Sequence, residues 1–285
     1  MSASLAPEER GSMKLTIVAD DRAQPGSPFR AEHGASFAIE SQGHTLLFDT
    51  GASGEVLMHN LAAVGLEPKV IEAVILSHGH YDHTGGLAAL LERAPGLTVH
   101  AHPDLFRERF VKSDTGPRFV GPPFSVSDLE GWADYRTSSE PQEVLPGVWT
   151  TGEITLRPEA EGRGPTHIVR ASEGWEPDPY RDDMSVVVKV EGGIVLVCGC
   201  CHAGLLNTLA HVRRTFGQDP LAVVGGLHLV SADTPTMDHI VETLGGYGPP
   251  QFSVGHCTGD RGFLRLKMAF GPQVSLYTVG TEFTF

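Results

Sequence analysis

Val74-Ile75-Leu76-Ser77-His78-Gly79-His80-Tyr81-Asp82-His83-Thr84-Gly85-Gly86 is the stretch on which the reading of this chain turns. An apolar run gives out at Ser77, and four side chains able to hold a metal follow at i, i+2, i+4 and i+5. Imidazole and carboxylate together suit zinc, iron or manganese. Gly79 lets the backbone turn tightly between two imidazoles, and Gly85 and Gly86 allow a close turn into a following helix. One His at the end of a strand is ordinarily structural. Packing does not account for four ligand types crowded together, so the segment reads as a metal loop.

Upstream, the runs at 14–19, 36–40 and 45–48 are rich in β-branched and aromatic residues and punctuated by Gly43 and Gly51. They read as antiparallel strands. A helix is expected over 54–64, with Gly65 as its C-terminal cap. A buried strand at 70–76, a helix at 86–93 and a short strand at 99–101 follow. From about 104 to 142, and again from 157 to 183, periodicity fails and Pro, Gly and Ser accumulate. Segments of this length serve as lids or substrate loops, or are plain surface insertions. The second half repeats the first pattern. Strands at 185–190 and 194–197, joined by Glu191-Gly192-Gly193, precede a helix at 203–216 and a strand at 222–224. A helix at 236–244, a strand at 252–254, a helix at 261–270 and a strand at 274–279 complete the chain. Two such halves without a linker indicate a layered α/β architecture in one domain over 13–285. Residues 1–12, polar up to Met13, read as a disordered extension or a remnant of expression.

The 285 residues carry 35 acidic and 21 basic side chains, a formal charge of −14. Such a surface repels phosphate backbones, and no basic run offsets it, so nucleic acid is not an expected partner. Nothing approaches the roughly 18 uninterrupted apolar residues of a membrane span. Cys198, Cys200 and Cys201 crowd together in a pattern that suits no disulfide framework and points to a reducing compartment. The N-terminus lacks the basic start and apolar core of a secretion signal. The expected setting is the cytoplasm and the expected partner a small-molecule substrate.

The segment 78–83 resembles the H-x-H-x-D-H signature of the metallo-β-lactamase superfamily. Leu46-Leu47-Phe48-Asp49-Thr50-Gly51 is similar to the Asp-bearing strand end that precedes it there. The resemblance implies an α/β fold of four layers, an αββα metallo-β-lactamase sandwich with the metals at one edge between the sheets. It also implies that Asp49 orients the metal loop rather than binding metal. A third His is then needed for one metal and further ligands for another. Cys198-Gly199-Cys200-Cys201-His202-Ala203-Gly204 and Phe252-Ser253-Val254-Gly255-His256-Cys257-Thr258-Gly259 each set a His after a short apolar strand and ahead of a Gly. His202 and His256 are the candidates. His228, at the end of Val223-Val224-Gly225-Gly226-Leu227-His228, is expected to bind metal, contact substrate or act as an acid. Cys200 is either an inert buried thiol or a thiolate at a metal position the family usually gives to Asp.

With Glu32-His33-Gly34 and Thr151-Gly152-Glu153-Ile154, these segments resemble one branch of the superfamily. Its members are labelled 7,8-dihydropterin-6-methyl-4-(β-D-ribofuranosyl)aminobenzene-5′-phosphate synthase-like proteins. His33, Glu153 and His228 become candidate substrate contacts. The chain departs from better-known hydrolases of the family in two places. No Gly-His-x-x-Gly occurs around 150–166, and no Gly-Asp follows the strand at 194–197.

The expected function is hydrolysis of a small, phosphate-bearing substrate at two divalent ions, zinc first, with manganese or iron as alternatives. His78, His80 and His202 would hold one ion, and Asp82, His83 and His256 the other. A metal lowers the pKa of its water to about 7 and so provides hydroxide at neutral pH, which Asp82 would orient. Two metals also clamp the attacked group and stabilise the charge that develops. The alternatives are a pterin-linked phosphate synthase or transferase, an iron-dependent redox enzyme such as a sulfur dioxygenase, and a metal-binding protein without turnover.

Overall fold

In the computed structural model, which describes residues 12–285, alternate residues of the central strands face two different apolar layers. Leu15, Ile17, Phe37, Ile39, Leu46 and Phe48 pack inward against Val186, Val188, Val195 and Val197 of the opposing sheet. Their neighbours Val18, Ala38 and Leu47 point the other way, onto the helices carrying Leu57, Leu61, Leu87 and Leu90. In the second sheet Val187, Leu196 and Cys198 turn outward onto Leu205, Leu209, Met237 and Leu266. Strands apolar on both faces must be covered on both faces, and this chain answers with helix, sheet, sheet, helix. The αββα arrangement expected above is present.

The first sheet has seven strands in the order Glu282–Thr284, Met13–Ala19, Ser36–Ser41, His44–Phe48, Ala73–Ile75, Thr98–Ala101 and Asp134–Thr137. The second runs Val274–Leu276, Gln251–Val254, Ala222–Gly225, Gly193–Cys198, Ser185–Val190, Val148–Thr150 and Glu143–Leu145. His44–Phe48 lies parallel to Ala73–Ile75. Gly193–Cys198, Ala222–Gly225 and Gln251–Val254 also run parallel to one another. The loops after these five strands leave from C-terminal strand ends and gather at one edge, where ligands of open α/β sheets collect.

Several expectations require correction. The strand foreseen at 70–76 is only Ala73–Ile75, because Pro68–Val70 forms a 3-10 turn ahead of it. The terminal run 274–279 splits: Val274–Leu276 stays in the second sheet, and the chain then crosses to pair Glu282–Thr284 with Met13–Ala19. Neither irregular stretch is structureless. Trp175–Pro177, His167–Arg170, Arg109–Val111 and Arg118–Phe119 form a third, four-stranded sheet. Val126–Trp132 is a helix closed by a Ser125/Asp128 capping box. Strands of two to four residues show no usable periodicity, which is why composition masked them. The expected extension lies outside the described residues except for Ser12. Among the described residues no helix is long and apolar enough to cross a membrane.

Candidate metal centre

The strand His44–Phe48 ends at Asp49, which is fully buried and held at φ 61. Ser77 donates to it twice, from its backbone N to Oδ1 and from its hydroxyl to Oδ2, each at 2.7 Å. With that hydroxyl proton committed, His78 Nδ1 donates to Ser77 Oγ across 2.8 Å. His83 Nδ1 donates to Asp49 Oδ2 at 2.7 Å. One carboxylate thereby fixes the tautomer of two imidazoles and leaves both Nε2 atoms without a proton. The second half of the chain closes directly over this group. A Cβ on Gly199 would lie 2.4 Å from Ser77 Oγ and 2.7 Å from Asp49 Oδ2, so the position accepts only glycine.

His78 Nε2 and His80 Nδ1 face each other at 3.0 Å. On the far side of the His80 ring, Nε2 lies 3.4 Å from the Tyr180 hydroxyl. When His80 Nε2 donates to that hydroxyl, two bare lone pairs confront one another, which a cation between them relieves. His202 completes the group: one ligand atom from each of His78, His80 and His202 lies within 4.8 Å of the other two. Both ring nitrogens of His202 are buried without a hydrogen-bond partner. Beside this group, Asp82 Oδ2 lies 3.6 Å from His83 Nε2 and 3.6 Å from His256 Nε2. His256 Nδ1 donates to Asp21 Oδ1 at 2.7 Å, which turns Nε2 toward Asp82. Cys200 stands between the two groups, its Sγ 3.3 Å from His83 Nε2 and within 4.8 Å of a His78 nitrogen.

Burial pushes His78, His80 and His202 well below the ordinary imidazole range, with neighbouring His and Arg charges adding to it. All three are therefore neutral and able to coordinate at neutral pH. At His83, burial also acts downward but the charges of Asp49 and Asp82 outweigh it, and the net shift is upward. His256 is likewise raised, since Cys257 and Asp21 outweigh burial. Burial, with Cys257 beside it, drives the Cys200 thiol well up. Neutral imidazoles with oriented lone pairs, an aimed carboxylate and a thiol make a donor set that fits one or two ions of the zinc type.

The remaining candidates divide. His228 lies in the same cleft, its ring 4.3 Å from that of His202 and its Nδ1 buried without a partner. His33 is half exposed at the rim, with Nε2 3.4 Å from Asp82 Oδ2. Glu153 goes elsewhere. Its carboxylate pairs with His102 at 3.6 Å and its backbone N donates to Ser139, rather than joining the clustered histidines.

Several residues that matter here were not singled out in the sequence. Asp20 accepts from the His256 backbone N at 2.9 Å, and burial pushes its pKa up to about 7. Asp21 holds both His256 and His33. Arg109, 1% exposed, donates to Asp178 at 2.8 Å and to Asp182. Asp182 in turn accepts from Gly79 N at 2.8 Å, between the two loop histidines. Asp183 accepts from Ala203 N at 2.8 Å, next to His202. Tyr180 stacks on His202 with ring centroids 3.8 Å apart. The dense run Asp178-Pro179-Tyr180-Arg181-Asp182-Asp183 inside an irregular stretch was the available signal. Asp49, Tyr180, Cys201, His228 and His256 all adopt positive φ. Non-glycine residues held so are uncommon and gather where a site demands an aimed side chain.

Residues 30–203 match the model of the metallo-β-lactamase superfamily. Over 265 residues the chain is 30% identical to the 7,8-dihydropterin-6-methyl-4-(β-D-ribofuranosyl)-aminobenzene-5′-phosphate synthase of Methanocaldococcus jannaschii, covering 87% of this chain and 88% of that one. The crystal structure of Tm1679, a metal-dependent hydrolase of the β-lactamase superfamily, superposes with a TM-score of 0.81 at 26% identity, covering 95% of this chain and 98% of that one. The H-x-H-x-D-H loop, the αββα sandwich and these likenesses lead to one family: the chain belongs to the metallo-β-lactamase superfamily.

Proposed function

We propose that this chain hydrolyses small phosphate-bearing molecules with the help of two divalent metal ions, zinc first, manganese or iron as alternatives. The observation that carries the reading is the adjacency of two donor groups, His78/His80/His202 and Asp82/His83/His256, with Cys200 between them. When bound, such ions polarise a phosphoryl oxygen and lower the pKa of coordinated water toward neutrality. The chain's own residues supply the rest. Asp82 Oδ2, facing three imidazoles, accepts a hydrogen bond from the attacking water and orients it. Asp49 and Ser77 hold His78 and His83 in coordinating tautomers. His228, close to His202 yet with a free Nδ1, meets the substrate. The formal charge of −14 favours a small molecule over nucleic acid, and four free cysteines favour the cytoplasm.

The phosphate preference draws on the name of the M. jannaschii relative, whose product carries a 5′-phosphate. The same likeness favours a second reading, in which the site organises a condensation: the amine nitrogen of a phosphorylated aminobenzene riboside bonds to the 6-methylene carbon of an activated reduced pterin as a leaving group departs from that carbon and the amine loses a proton. The test is elemental analysis of the purified protein, then assay of the loaded form on phosphate esters and on that substrate pair. Two ions per chain and chelator-sensitive loss of phosphate from the esters support hydrolysis; a joined pterin product that keeps its 5′-phosphate supports the second reading. His202→Ala and His256→Ala should lower metal content, whereas His228→Ala should lower activity with metal retained. If His228→Ala strips metal and His256→Ala does not, the two roles are exchanged.

A further inference from the structure

The third sheet presents a row of three side chains to the cleft. His167 pairs with Val111, and Val111 with Arg118, in antiparallel register. Directly opposed residues on neighbouring strands share a face, so His167, Val111 and Arg118 all project from one side of the sheet. His167 shows where that side looks. Its Nδ1 hydrogen-bonds the Tyr180 hydroxyl, and its ring centroid lies 5.4 Å from that of His80, 6.2 Å from that of His202 and 6.3 Å from that of His228. Arg118 is exposed two strands away on that face, near enough for its charge to act on both His33 and His167. Its strand is pinned to the metal loop itself, since Tyr81 N, between His80 and Asp82, donates to Val120 O at 3.0 Å.

The neighbouring arginines are spoken for. Arg107 pairs with Glu176, Arg109 with Asp178 and Asp182, and Arg170 with Glu108, whereas Arg118 has no ion pair among the described residues. In a chain of net charge −14, an arginine with no carboxylate over a cleft of imidazoles marks a place for an anion. The hydrogen-bond chain agrees. If His80 Nε2 donates to the Tyr180 oxygen and the Tyr180 hydroxyl donates to His167 Nδ1, then His167 Nε2 carries a proton facing outward. Beside that ring lies Gly164.

We infer that Arg118 and His167 form an anion-binding wall that grips a phosphate group of the substrate, Arg118 through its guanidinium fork and His167 through Nε2–H. The inference rests on the proposed phosphate-ester reading and adds the residues that select for it. The test is calorimetric binding of inorganic phosphate to the metal-loaded protein, with metal content measured in parallel, for the wild type, Arg118→Gln, Arg118→Lys and His167→Asn. Arg118→Gln should weaken phosphate binding by about 10-fold or more at unchanged metal content, Arg118→Lys should recover part of it, and His167→Asn should show a smaller loss. Equal phosphate affinity in the wild type and Arg118→Gln at equal metal content overturns the wall and leaves the hydrolase reading standing. A wild type that binds no phosphate also overturns it. Phosphate bound through Arg118 by a loaded protein that hydrolyses no phosphate ester upholds the wall and sinks the hydrolase reading instead.

Discussion

Asp49 Oδ2 accepts from His83 Nδ1 at 2.7 Å, and both side chains are wholly shut off from solvent. The same carboxylate reaches His78 through Ser77, so one residue governs a nitrogen in each donor group. Asp49→Asn keeps the shape but loses the full charge that anchors the His83 proton. Metal affinity should fall about 10- to 100-fold, read by chelator titration of the loaded protein. Unchanged affinity would mean the carboxylate is only a packing element.

Cys200 Sγ, 3.3 Å from His83 Nε2, is placed to contact metal as a thiolate despite the burial that raises its pKa, because a cation reverses that cost. Cobalt-substituted protein should therefore show a sulfur-to-metal charge-transfer band that Cys200→Ser abolishes. A band of equal strength in the variant would return Cys200 to the inert thiols.

Gly79 sits where a side chain has no room. A Cβ there would be 1.9 Å from Leu105 O and 2.6 Å from Arg109 Nη1. Gly79→Ala should cost about 2 kcal/mol or more in denaturant unfolding, since the collision is with backbone and with a buried ion pair that cannot move aside. A loss within about 0.5 kcal/mol, the range of an ordinary surface change, would show that the loop gives way easily.

Far from the metal groups, His211 Nε2 bonds the Thr151 carbonyl and the ring is partly buried. Burial is the main cause that lowers its pKa below the ordinary imidazole range. A histidine depressed on folding stabilises the fold fully above its unfolded pKa, and that contribution is lost as pH falls below 6.5 toward the folded value. His211→Gln should accordingly flatten the decline of the urea midpoint between about pH 7.5 and pH 5 relative to wild type. Parallel profiles for the two proteins would reject this.

What the sequence made legible follows from distance along the chain. His78, His80, Asp82 and His83 are local, and their spacing alone marks a metal loop. His202 and His256 could be proposed because each ends an apolar strand, and parallel strands deliver their ends to one edge. His167 and Arg109 owe their positions to a small sheet whose strands are two to four residues long, too short to leave a period, and Tyr180 lies in the loop that follows it. Asp21 reaches the second donor group through a bond to His256, 235 positions away. Glu153, expected at the substrate on the resemblance of its neighbours, pairs with His102, a contact between residues 51 positions apart that no local spacing announces.

That Asp21–His256 bond also sets a clock. As the chain emerges from the ribosome, His78, His80, Asp82 and His83 appear while His202 and His256 have yet to be made. An ion met early finds the three imidazoles and one carboxylate of the loop but neither His202 nor His256, so neither donor group is complete. Since Asp20 and Asp21 precede His256 by 236 and 235 positions, the second donor group is held in place only once His256 has been made and folded back onto them. A chain that binds metal at both groups would thus do so as a folded sandwich rather than through the isolated loop.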